Sequence, residues 1–189
     1  EEWRPPGEND IASLSVKLWG KIASFLAIGD QAALALSSRT LLMRVGAESW
    51  WELEKEGNRS EKLRFLMTLD KQLPGHLLCF SCAKYHKRIQ RGEESLKRAN
   101  VLNLIYNCPM VGKPGHVAPR ARITPGWNLP FTFVQLVMRG ARYGVPTHGI
   151  PVNELGRRWK DPYSEWTHQS RFYVYKGHLL MRVTSKSFA

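Results

Sequence analysis

The chain has 189 residues, 43% of them hydrophobic and 11% aromatic. That is enough apolar side chain for one folded domain plus a small module, and too much for a disordered polypeptide. No apolar run is long enough to span a bilayer, and the N-terminus opens on Glu1 and Glu2 instead of a basic region before a hydrophobic stretch. Neither a membrane span nor a secretory signal is visible, so an intracellular protein, cytoplasmic or nuclear, is expected. The net charge of +12 is unevenly spread: residues 1–75 hold 10 Lys and Arg against 11 Asp and Glu, whereas residues 76–189 hold 18 against 5. Such a field can steer nucleic acid, an anionic membrane surface or an acidic protein, while a solvated basic face is the plainer alternative. Because the chain begins at Glu1 and its last strand-like segment runs nearly to Ala189, it reads as a piece of a longer protein.

The first third reads as short helices. Leu18, Ile22, Phe25 and Leu26 fall at the i, i+4, i+7 and i+8 positions of one helix face, with Leu14 a turn earlier and Ser13 or Ser15 available to cap it. Gly29-Asp30 reads as a turn, Asp30 being suited to cap a second helix that carries Ala33, Leu34 and Leu36. Ser37 or Ser38 can cap a third helix, Arg39 to Val45, which Gly46 would end in a left-handed conformation. A charged helix over Glu48 to Glu56 contains Trp50, Trp51 and Leu53 and stops at Gly57. Asn58 or Ser60 then caps a helix through Leu63, Leu66, Met67 and Asp70, broken by Pro74-Gly75, the expected boundary. Helices this short share too little interior to hide every apolar side chain, so some of that surface is expected to meet a partner.

Beyond the boundary the pattern is irregular. Pro109, Pro114, Pro119, Pro125 and Pro130 mark loops, and Gly112-Lys-Pro-Gly115 has the most flexible composition. Phe131 to Tyr143 mixes strand and helix signals and is read as a helix, with Arg139 to Arg142 a basic last turn and Gly144 its stop. A shorter helix, Val152 to Trp159, is expected after Pro151. Arg171 to Tyr175 and His178 to Val183 flank Lys176-Gly177, which predicts an antiparallel hairpin about a two-residue turn.

The cysteines carry the candidate chemistry. Cys79 and Cys82 have the C-x2-C spacing by which two thiolates grip one tetrahedral metal; His86 follows, and Cys108 lies across a Lys- and Arg-rich segment. Together they would form a Cys3His zinc site of structural type, with His76 and His116 as rival fourth ligands and Lys84, Lys87 and Arg88 offsetting the thiolate charge. The alternative makes Cys79 a small core hydrophobe beside Leu77, Leu78 and Phe80, with Cys82 near the surface and Cys108 unrelated. An odd cysteine count without a signal peptide argues against a disulfide framework, and no βαβ pattern supports a redox C-x-x-C.

Catalysis has weaker support. His168 with Ser170, or Asp161 with Glu165, lack a motif such as G-x-S-x-G, and Gly112-Lys-Pro-Gly115 lacks the spacing of a phosphate loop. A non-enzymatic protein is expected. The mixture Arg157-Arg158-Trp159-Lys160 through Trp166 to Tyr175 either stacks on single-stranded nucleic acid or forms the packed and solvent faces of a small sheet. The alternation of Phe172 and Val174 against Tyr173 and Tyr175 suits the sheet.

The block from Leu14 to Trp50 resembles the F-box, the motif by which substrate receptors attach to the Skp-type adaptor of cullin-based ubiquitin ligases. Leu14, Leu18, Ile22, Leu26, Leu34, Leu41 and Trp50 fall at its apolar positions. Two residues depart from it: the usual Leu-Pro start is Leu14-Ser15, and the usual acidic residue is Lys17. The blocks Leu77 to His86, Ile123 to Met138 and Trp166 to Val183 extend the similarity to fungal F-box-containing proteins. The resemblance implies a substrate receptor that docks through Leu14, Leu18, Trp19, Ile22, Phe25, Leu26, Ile28, Leu34 and Leu41 and presents a target protein for ubiquitination. The fold class expected is α+β: an F-box-like helical module over residues 11–56, a connecting helix over 57–75, and a basic mixed module with a zinc knuckle and C-terminal hairpin over 76–189. A basic, zinc-containing nucleic-acid-binding module with an incidental helical N-terminus is the alternative function.

Overall fold

The computed structural model describes residues 7–96, 108–110, 113, 119–124 and 127–187. The fold is mixed α+β, and the chain divides into two compact units, Glu1–Leu69 and Asp70–Ala189. The loops expected at Gly112-Lys-Pro-Gly115 (apart from Lys113) and at Pro125 lie outside the described residues.

The first unit is helical, with α1 (Glu8–Ser13), α2 (Val16–Ala23), α3 (Ile28–Ser37), α4 (Arg39–Val45), α5 (Glu48–Leu53) and α6 (Arg59–Thr68). Ser15 and Ser38 cap α2 and α4, their hydroxyls accepting the N–H groups of Leu18 and Leu41, and Leu18 N–H also reaches the Ser15 carbonyl. Gly46, at φ +86°, ends α4 as anticipated. Other boundaries move. α2 stops at Ala23, where the Ser24 hydroxyl turns back onto the Lys21 carbonyl and the chain tightens into three-residue turns, leaving Phe25 and Leu26 beyond the helix. Gly29 and Asp30 are not a turn and a cap but the first turn of α3, where the Asp30 carboxylate takes a bidentate pair from Arg64 at 2.9 and 3.0 Å. The helix read over Glu48 to Glu56 breaks at Leu53 into α5 and a 3-10 turn, Glu56–Asn58. Asn58 donates to the Glu52 carbonyl across that break instead of capping α6 through its side chain.

α3 is the hub of this unit, packing on α4, α5 and α6. Its Ala32 and Ala35 are fully buried, and side chains of one carbon allow that many neighbours to approach closely. The Trp50 indole donates to the Ala32 carbonyl at 3.3 Å and anchors α5 there.

The second unit contains the hairpin β1 (His76–Cys79) and β2 (Lys84–Lys87), the hairpin β3 (Arg120–Thr124) and β4 (Trp127–Pro130), the helix α7 (Phe131–Tyr143), and a sheet ordered β5 (Arg157–Lys160), β6 (Thr167–Tyr175), β7 (His178–Lys186), all antiparallel. α7 has the predicted bounds and ends at Gly144, φ +101°. The predicted C-terminal hairpin is present with longer strands. Lys176 and Gly177 both have positive φ, the turn whose twist matches that of the strands it joins. The helix expected over Val152 to Trp159 is replaced: a 3-10 turn stops at Leu155, and Arg157–Lys160 become β5. The cause is tertiary, because β6 extends back to Thr167 and offers unpaired backbone groups that residues 157–160 satisfy.

Phe133, Leu136 and Val137 of α7 join Leu77, Trp127, Leu129, Ile150, Leu155 and Phe172 in one core. Arg139 is not part of a solvated basic turn. It is buried, and its guanidinium donates to the carbonyls of Asp70, Leu73 and His76 while facing the Asp70 carboxylate at 3.3 Å. Arg88, also buried, pairs with Glu94 at 2.5 Å and donates to the carbonyls of Pro74 and Thr147. Two guanidiniums thus hold segment 70–76, which leads into β1.

Gly149 sits against α7 so closely that a Cβ there would lie 1.8 Å from the Leu136 carbonyl oxygen. Gly149→Ala should therefore cost about 2 kcal/mol or more and lower the melting temperature by about 4–8 °C. Thermal denaturation followed by circular dichroism checks this, and an unchanged midpoint would contradict the close packing.

Candidate metal centre

The β1–β2 hairpin builds most of the centre. Cys79 ends β1, and the turn Phe80–Ala83 brings Cys82 back beside it. Ala83 is buried and adopts φ +50°, a left-handed conformation that costs an L-residue about 1 kcal/mol and persists only where the surroundings enforce it. His86 arrives through strand pairing: it lies opposite Leu77, and Leu77 and Cys79 share a face of β1, so His86 projects to the side of Cys79. Phe80 packs edge-on against Phe131 at the start of α7, 5.3 Å between ring centroids, and ties the turn to that helix.

Cys108 completes the group. Its Sγ lies 3.9 Å from that of Cys79, the Sγ of Cys82 is 3.0 Å from His86 Nε2, and all four ligand atoms lie within 4.8 Å of one another. A tetrahedral zinc with Zn–S bonds of about 2.3 Å sets neighbouring sulfurs about 3.8 Å apart, so the spacing fits such an ion. The reading in which Cys108 is unrelated is therefore overturned. None of the three cysteines is in a disulfide. His76 is not among the clustered ligands; its carbonyl serves Arg139. His116 lies outside the described residues.

The electrostatics match a site built around a cation. Burial pushes the Cys82 thiol up to about 12, with the hydrogen bond and proximity to Cys79 and then Cys108 adding to it. Burial also holds His86 below the ordinary imidazole range, with Lys84 adding to the effect. Neutral imidazole is the ligating form, and three crowded sulfurs become thiolates readily only around a positive ion. Lys84 lies opposite Cys79 in the strand register. Arg88, expected to offset thiolate charge, is committed to Glu94 and two carbonyls instead.

The other singled-out side chains are engaged separately. His168 bonds the Ser185 hydroxyl, Ser170 bonds the backbone of Arg157, Asp161 accepts the Tyr163 N–H and Glu165 pairs with Lys160. Among the described residues these form neither a triad nor a carboxylate pair. In the first unit, Leu18, Ile22 and Phe25 are exposed by 45%, 38% and 81%. Leu14, Trp19, Leu26, Ile28 and Leu34 are half-buried, and Leu41 is buried in the unit's own interior, which removes it from any surface a partner could touch. Sequence reasoning missed Ala83 and Arg139. A small residue directly after C-x2-C was the available signal for the first; nothing local announced the second.

No family model, curated protein or solved structure matches the chain.

In chelator-treated, reduced protein, Cys82 should alkylate more slowly near neutral pH than a free thiol. Its rate should keep climbing well into the alkaline range, since a raised pKa leaves little thiolate until then. Rates from peptide mass spectrometry check this; alkylation at the free-thiol rate would contradict the buried cluster.

Proposed function

We propose that the chain is a non-enzymatic receptor, in which the helical unit docks on a Skp-type adaptor of a cullin-based ubiquitin ligase and the basic unit, braced by a structural zinc, presents a target. The observation that carries the docking reading is the apolar surface around α2: Val16, Leu18, Ile22 and Phe25 stand exposed on a short helix and the turn after it. Leu36 and Met43 on α3 and α4 are exposed as well. Apolar area of this kind gains free energy when a partner removes it from water, about 25 cal/mol per Å². The F-box-like pattern names the partner class, and Ser15 supplies the helix cap where that motif usually starts with proline.

Zinc is supported by the donor set itself. Three cysteines and a histidine lie within 4.8 Å of one another, and as three thiolates and an imidazole they would close a tetrahedral shell with no open position, the composition of a structural site and not of a catalytic one. Cys79, Cys82 and His86 would fasten the hairpin, and Cys108 would join a distant stretch of chain to it. A second reading, a zinc-containing nucleic-acid-binding module, is favoured by the location of this cluster in the half of the chain that carries all the basic excess.

The full chain is expected to co-purify with a Skp-type adaptor, and Leu18→Asp or Ile22→Asp to abolish it. Apolar docking should survive high salt. Failure of the wild-type chain to bind at any salt concentration would sink the docking reading. Purified under reducing conditions, the chain should hold about one zinc and, after exchange, give the thiolate-to-metal absorption of tetrahedral cobalt, with Cys82→Ser and Cys108→Ser losing both. Wild-type protein without zinc or that absorption would remove the metal.

A further inference from the structure

The strand register puts a single composition on one face of the β5-β6-β7 sheet. Directly paired residues share a face, so Arg158 joins Gln169 and Thr184, Arg171 joins Arg182, Tyr173 joins Leu180, and Tyr175 joins His178. Lys186, opposite Thr167, extends the row. The opposite face carries Trp159, Phe172 and Val174 and packs on the core. The three strands contain no Asp or Glu.

We infer that this solvent face binds single-stranded nucleic acid, its cations taking phosphates and its tyrosines stacking on bases. Arg158, Arg171, Arg182 and Lys186 are exposed, and among the described residues no ion pair engages them. Lys160 is the one cation of the face held by a carboxylate, that of Glu165. Arg171 and Arg182 lie directly opposite each other, a like-charge pair that destabilises a sheet unless an anion bridges it. A phosphate supplies that anion. Tyr173 and Tyr175 are 49% and 61% exposed, more than a sheet needs for its own packing, and Lys176 lies 5.5 Å from the Tyr175 ring. Alternate residues on a strand recur about every 6.8 Å, so the two rings form successive platforms along one direction.

The mixture of cations and exposed tyrosines favours this occupant over a duplex or an acidic peptide. A duplex hides its base faces from tyrosines, and carboxylates gain nothing from an aromatic ring. This inference deepens the nucleic-acid reading of the second unit and is independent of adaptor docking, since it uses only residues beyond Asp70.

The test is fluorescence anisotropy of the full chain with a labelled oligothymidylate, a duplex of equal length and a poly-glutamate peptide, over a series of salt concentrations. The expected result is preference for the single strand, with a log–log salt slope of about −3 from four phosphate contacts. Tyr173→Ala with Tyr175→Ala should weaken binding about tenfold or more at constant slope, and Arg171→Gln with Arg182→Gln should reduce the slope by about 1.4. All four side chains are solvent-facing, and far-UV circular dichroism confirms that the variants fold. Binding of the wild type with neither variant pair affected would overturn the inference while leaving the nucleic-acid reading in place. No binding to any nucleic acid would end both. Equal binding of poly-glutamate, insensitive to the tyrosines, would reduce the face to a general cation surface and also overturn the inference.

Discussion

The buried guanidinium of Arg139 is the interaction on which the second unit depends. One side chain of α7 reaches the carbonyls of Asp70, Leu73 and His76, so the helix that supplies the core also fixes the chain entering β1. Without those contacts and the Asp70 carboxylate at 3.3 Å, the buried guanidinium would be left without partners, at a cost above the about 1–3 kcal/mol of an unpaired neutral group. Arg88 repeats the device with Glu94 and the carbonyls of Pro74 and Thr147. The strand so held places Leu77 in the core and Cys79 beside Cys82, His86 and Cys108.

This arrangement explains how sheets of two and three strands persist without a large common layer. Two-stranded hairpins are marginal by themselves, and each here is braced from outside: β1–β2 by the guanidiniums and the Phe80–Phe131 contact, β3–β4 by Trp127 against Trp159, 4.5 Å between ring centroids. A metal at the four-ligand cluster would add a further cross-link at the one place where the hairpin meets the distant Cys108. The proposed zinc therefore has a mechanical role that follows from the topology.

The two units present different surfaces. The helical one is close to neutral and exposes apolar side chains around α2; the other is strongly basic and exposes cations and tyrosines on a sheet face. Polyanion binding weakens as salt rises whereas apolar docking is nearly insensitive to it, so salt separates the two contacts.

Much of this was legible because the deciding signals are local. Ser38 and Gly46 bound α4, Phe131 to Tyr143 carries its own start and stop, Lys176-Gly177 makes the hairpin turn, and C-x2-C with His86 marks three of the four clustered side chains; in each, the residues that determine the geometry are neighbours in sequence. What the residues alone did not determine depends on remote partners. Asp30 reads as a cap until Arg64, far along the chain, claims its carboxylate. Residues 157–159 read as the end of a helix until β6 offers its edge. Arg139 reads as a solvated last turn until three carbonyls from segment 70–76 surround it. Cys108 stands apart from C-x2-C until the fold closes the distance to Cys79. Local propensity amounts to tenths of a kcal/mol per residue, whereas satisfying a buried charge or an unpaired strand edge is worth several times more, so wherever the two compete the tertiary structure decides.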